Sequence, residues 1–92
     1  MARRMLTAAQ AERQLRKAVR RLRRNWTVGE VAGRDGRRRG KGSHKMIGLY
    51  DENQVVLAWT TVPQHPGDLS PLVAREIEAT FEPMLGKGWM GR

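Results

Sequence analysis

Two short apolar runs separated by four polar residues constrain this chain more than any other feature. His44-Lys45-Met46-Ile47-Gly48-Leu49-Tyr50 and Val55-Val56-Leu57-Ala58-Trp59-Thr60-Thr61-Val62 flank Asp51-Glu52-Asn53-Gln54. Each run has the length and composition of a strand and the segment between them is turn-like, so the unit predicts a β-hairpin. Pro63 has no amide to donate and closes the second strand, and Pro66-Gly67 adds a further turn.

Helices are expected on both sides of the hairpin. Thr7-Ala8-Ala9-Gln10 has the form of a capping box, and Ala11, Leu15, Ala18, Val19, Leu22 and Trp26 then recur at spacings of three and four. Arg13, Arg16, Lys17, Arg20, Arg23 and Arg24 fall on the other side, giving an amphipathic helix with a cationic outer face, offset only by a Glu12–Arg16 pairing at i,i+4. After the hairpin, Ser70 is a fitting N-cap with Pro71 at the first helical position, and Val73, Ile77 and Phe81, with Leu72 and Met84 or Leu85, predict the buried stripe of a second helix ending near Pro83. In the Gly86 to Arg92 tail, Trp89 either docks on the core, as large aromatics usually do, or engages a partner.

Between the first helix and the hairpin, Trp26-Thr27-Val28-Gly29-Glu30-Val31-Ala32 reads as a weaker strand, and the glycine- and arginine-rich stretch from Gly33 to Gly42 reads as a loop. The order is helix, strand, strand, strand, helix. A three-stranded antiparallel sheet with both helices on one face buries every apolar stripe together, an α+β fold similar to double-stranded-RNA-binding domains. The 92 residues form a single domain, with a basic insertion loop around residues 33–41 and a tail at 86–92.

Charge narrows the partners. The chain carries a formal +9, and its first 45 residues hold 15 of the 18 basic groups and 3 of the 9 acidic ones. Such asymmetry favours a polyanion, nucleic acid before membrane, because the cations come with few large apolar anchors. With no cysteine and two histidines, thiolate metal sites and disulfides are excluded and a dedicated metal centre is not expected. No run approaches the ~18 apolar residues that span a bilayer, so a cytoplasmic protein without a cofactor is the expectation.

Both histidines lie in or beside the hairpin. His44 follows Gly42-Ser43, where glycine lets a phosphate approach backbone amides and serine adds a donor. A neutral imidazole there can act as general base on an RNA 2′-hydroxyl, a reaction that needs neither metal nor cofactor. Arg37, Arg38, Arg39, Lys41 and Lys45 are candidate phosphate contacts around it, joined by Arg16, Lys17 and Arg20 of the first helix. His65, between Pro63 and Pro66, is a possible second acid/base group that would protonate the leaving 5′-oxygen. Equally, His44 can be a solvent-facing strand residue and His65 part of a structural turn.

These residues carry a resemblance. Gly40-Lys41-Gly42-Ser43-His44, a hairpin, then Val62-Pro63-Gln64-His65-Pro66-Gly67-Asp68-Leu69 and a helix resemble the HicA family of toxins from bacterial and phage type II toxin–antitoxin systems, over about residues 11 to 82. The resemblance implies a small mRNA interferase with a double-stranded-RNA-binding-like fold, the histidine of Gly-Ser-His (His44) as catalytic residue, and a HicB-type antitoxin that covers the active site. The chain departs from the family's pattern in its longer run from Trp26 to Gly42 and in Ser70-Pro71-Leu72-Val73 at the start of the second helix. Two other classes fit the same residues: a non-catalytic RNA- or DNA-binding module, and a phage-encoded interaction protein whose basic face meets an acidic protein.

Overall fold

A computed structural model describes residues 6–31, 44–64 and 66–91. Helix α1 spans Ala8–Arg21, strands β1, β2 and β3 span Thr27–Glu30, His44–Tyr50 and Val56–Pro63, and helix α2 spans Pro71–Leu85. The strands form one antiparallel sheet in the order β1-β2-β3. This is the helix–three strands–helix arrangement expected from the periodicity. Among the described residues no helix is long and apolar enough to cross a membrane.

Local chemistry sets the ends of most elements. The Thr7 hydroxyl accepts from the Gln10 amide at 3.2 Å while the Gln10 side chain accepts from the Thr7 amide at 2.9 Å, a reciprocal cap on α1. Ser70 caps α2 by accepting from the Val73 amide at 3.2 Å, with Pro71 in the first turn. In the hairpin turn the Asp51 carboxylate accepts from the Asn53 and Val55 amides at 2.8 and 3.0 Å, and Gln54 takes a left-handed φ of 63°. A bulge between Leu49 and Tyr50 shifts the register there.

Several expected boundaries move: α1 ends at Arg21, so Leu22 and Trp26 of the expected stripe lie beyond it, and β3 runs Val56–Pro63 instead of Val55–Val62. Strand β1 is shorter than the Trp26–Ala32 expectation: Trp26 lies outside the ladder and packs against the core, and Ala32 lies outside the described residues. Helix α2 runs through Pro83 instead of ending near it. The proline falls in the last turn, where it removes only one backbone donor, and continuing two residues brings Met84 and Leu85 against the core. Gly86, at φ 90°, then ends the helix with its amide on the Glu82 carbonyl at 2.8 Å.

The core lies between the sheet and both helices. Leu15 of α1, Ile47 and Leu49 of β2, Leu69 before α2 and Phe81 of α2 are fully buried, as is Met90 of the tail. Each large apolar side chain so buried contributes about 1.5–3 kcal/mol relative to exposure. Leu72, expected in the α2 stripe, is instead 68% exposed, and Ala74 takes the buried position. Trp89 docks on the core: its ring meets Phe81 edge-on at 5.9 Å and its indole donates to the Glu78 carbonyl at 2.8 Å. The Leu69 amide donates to the Leu6 carbonyl at 2.7 Å, so the two helices start from neighbouring points.

Candidate nucleic-acid interface

Side chains alternate between the faces of a strand, and β2 uses this to separate two neighbours. Lys45, Ile47 and Leu49 point into the helix layer, while His44, Met46, Gly48 and Tyr50 lie on the open face. His44 is exposed at the first position of β2, and its register partner across the ladder is Pro63. Met46 pairs with Thr61 and Gly48 with Trp59, so the open face continues away from His44 through an indole that is 50% exposed.

Further along, bare backbone is covered by neighbouring side chains. A Cβ on Gly48 would stand 2.8 Å from Val31 Cγ2 and 3.4 Å from Tyr50 Cε2. The Tyr50 hydroxyl donates to the Glu30 carbonyl at 3.4 Å, laying the ring across the sheet. The result is an open surface of Met46, Val31, Tyr50, Val56 and Trp59 with His44 at one end.

Lys45 faces the other way. Its ammonium lies 3.2 Å from Glu12 Oε1 and 3.9 Å from a Glu30 carboxylate oxygen. Glu12 also receives Arg16 Nε and Nη2 at 3.3 and 3.0 Å. Burial works to raise the Glu12 carboxyl, but hydrogen bonds from Arg16 and Lys45, together with their charges, outweigh it and hold the group below its usual range. Lys45 is thus part of the helix–sheet joint and not beside the His44 imidazole.

One of the remaining helix cations, Arg16, reaches the outer edge of β1. Arg16 Nη1 donates to the Val28 carbonyl at 3.0 Å, binding α1 to that edge. Lys17 and Arg20 are exposed. Past the end of α1, a cleft of about 550 Å³ is lined by Arg16, Arg20, Arg23, Arg24, Asn25 and Trp26, among others. The Arg24 guanidinium stacks 5.0 Å from the centre of the Trp26 ring. This cleft adjoins Thr27, which pairs with Tyr50 at the far end of β2 from His44, and at ~3.4 Å per residue the strand puts ~20 Å between them.

Arg37, Arg38, Arg39, Lys41, Gly42, Ser43 and His65 lie outside the described residues. Of the remaining expected site residues, the fold therefore places His44 on the open face, Lys45 in the helix–sheet joint, and Arg16, Lys17 and Arg20 on α1. The sequence reading did not single out the cleft. Its signal was an arginine pair, Arg23-Arg24, running into Trp26 where the helix stripe ends, but the concave surface forms only when β1 folds back along α1. Comparison of the chain with protein-family models, curated proteins and solved structures found no match.

Proposed function

We propose that this protein is a metal-independent endoribonuclease of the HicA kind, acting on mRNA in the cytoplasm and held in check by a HicB-type antitoxin. The observation that carries the reading is the pairing of His44 with Pro63. It sets the end of Gly40-Lys41-Gly42-Ser43-His44 against the beginning of Val62-Pro63-Gln64-His65-Pro66-Gly67, two segments far apart in the chain whose combination suggested the family.

In this mechanism the His44 imidazole takes the proton of a 2′-hydroxyl as its oxygen attacks the adjacent phosphorus. The bond to the 5′-oxygen breaks, and that oxygen receives a proton from the second acid/base group, assigned to His65. The products are a 2′,3′-cyclic phosphate and a 5′-hydroxyl. Backbone amides at Gly42 and Ser43 and the cations Arg37, Arg38, Arg39 and Lys41 would stabilise the phosphorane charge. Lys45 contributes by anchoring the strand that bears His44.

A protein partner is supported by the hairpin surface. Val55, Val56, Leu57 and Trp59 are all exposed on or next to β3, itself an edge strand, and contiguous apolar surface of this kind marks a contact site. An antitoxin covering the His44 face would cover Trp59 as well.

The test is induction in a bacterial host. Wild type should arrest growth, and His44→Ala should not, while remaining folded and keeping its RNA affinity. Equal arrest by both, or arrest by neither when both are folded, would refute the catalytic assignment. The second outcome, combined with RNA binding that weakens steeply with salt, would favour a non-catalytic RNA- or DNA-binding module. That alternative draws its support from the arginine cleft, which is remote from His44.

A further inference from the structure

We propose that the cleft between the end of α1 and the start of β1 is a second RNA contact, gripping the phosphate backbone ~20 Å along the sheet from His44. The choice of RNA as ligand rests on the reading above, whereas the site itself rests on four arginines and a tryptophan around one concavity.

Four guanidinium groups in one cleft repel one another, and among the described residues its lining includes no acidic one. Among the described residues, Arg16 has Glu12 as counter-ion, while no carboxylate is within ion-pair distance of Arg20, Arg23 or Arg24. A solvated helix face scatters such charges; a concave site that collects them is complementary to phosphate, whose oxygens accept the planar fork in pairs.

The backbone and the indole support the same ligand. Arg23 sits just past the α1 C-cap with a φ of 55°, a left-handed position normally given to glycine, so a cation occupies a site where the helix end alone favours no side chain. Arg24 is already stacked on Trp26, which restricts its rotamers before a ligand arrives and lowers the entropic cost of each hydrogen bond. Asn25 and Thr27 add polar groups at the rim. The ~20 Å along β2 corresponds to about six steps of a stacked strand at ~3.4 Å each, so an RNA segment that also turns round the β1 edge, from the open face to the α1 side, can engage both regions.

The experiment uses the full chain carrying His44→Ala, so that RNA is bound and not cut, with a fluorescein-labelled 12-nucleotide single-stranded RNA read by anisotropy. Adding Arg20→Gln with Arg24→Gln should weaken binding at least tenfold at about 0.1 M salt and reduce the slope of log K against log salt by about 1.4. Adding Arg75→Gln, on the exposed side of α2, should change affinity less than twofold. Arg23→Gly should weaken binding while leaving the melting temperature equal or higher, since glycine suits that backbone position.

Unchanged affinity and slope in the double variant would overturn the proposal and leave the cleft to an acidic protein or to solvent. A loss from Arg75→Gln of about threefold or more, the per-arginine share of a tenfold loss in the double variant, would also overturn it, by making net charge the cause. Failure of the ribonuclease reading looks different: wild type would not cut RNA, yet the cleft variants would still lose affinity.

Discussion

Lys45 reaches from β2 to Glu12 of α1, 3.2 Å between ammonium and carboxylate, across 33 residues of sequence. The contact links the strand that begins with His44 to the helix that carries the arginines. Glu12, held by Arg16 and Lys45 together, is the hinge-pin of that joint.

Glu12→Gln should therefore lower stability at neutral pH by about 1 kcal/mol, the upper end for a partly exposed ion pair. The carboxyl titrates lower in the folded protein than its ordinary ~4.3 when unfolded. Its contribution is complete above that unfolded value and disappears as pH falls through the folded one. Urea midpoints of wild type and Glu12→Gln should differ at pH 7 and converge as the solution is acidified. A difference that persists undiminished at pH 2 would show that the effect does not come from the carboxylate's charge.

Purified His44→Ala should cut RNA ~10²- to 10⁴-fold more slowly than wild type, the range for loss of a positioned acid/base group. Cleavage by wild type should survive a chelator and leave 2′,3′-cyclic phosphate ends. A 3′-hydroxyl product, separable by its response to phosphatase and ligase treatment, would point to attack by water and remove the 2′-hydroxyl from the mechanism.

Two glycines of the sheet should respond oppositely to alanine. A Cβ on Gly48 meets the stiff Val31 side chain at 2.8 Å, so Gly48→Ala should destabilise by about 1–3 kcal/mol through overpacking. Gly29 has nothing within 4 Å of its would-be Cβ, and Gly29→Ala should be neutral or stabilise by up to about 1 kcal/mol by restricting the unfolded chain. Thermal melts of the pair decide whether Val31 truly closes over Gly48.

Trp89→Ala should cost about 3–5 kcal/mol, as expected for an aromatic group lost from a core. Trp89→Phe keeps the edge contact with Phe81 but loses the indole donor to Glu78, so an intermediate loss near 1 kcal/mol is expected. Should the alanine variant melt like wild type, the tail would not be part of the domain's core.

Legibility followed the range of the interaction. The Thr7–Gln10 box, the Ser70-Pro71 start and the Asp51–Gln54 turn were readable because each is satisfied within four residues. The stripe Ala11, Leu15, Ala18 and Val19 was readable because helical period marks a face whatever it packs against. Pro83 misled because the local cost to the turn before it is outweighed by packing Met84 and Leu85 against the core, and Leu72 because a stripe has no sharp edge. Glu12 was matched with Arg16, its i,i+4 neighbour, while its second cation came from a strand that no local rule connects to it.

By itself the sequence determined that a hairpin would form, that two capped helices would flank it, and that cations would crowd the first half of the chain. These follow from periodicity, capping and composition, which act over a few residues. Only the tertiary structure decided that adjacent His44 and Lys45 serve opposite faces of one sheet, that His44 is set against Pro63, and that Arg23, Arg24 and Trp26 turn from a helix end into a cleft wall. Those outcomes depend on strand register and on where α1 lies along β1, and both are fixed by burying Leu15, Ile47, Leu49 and Phe81 in one core.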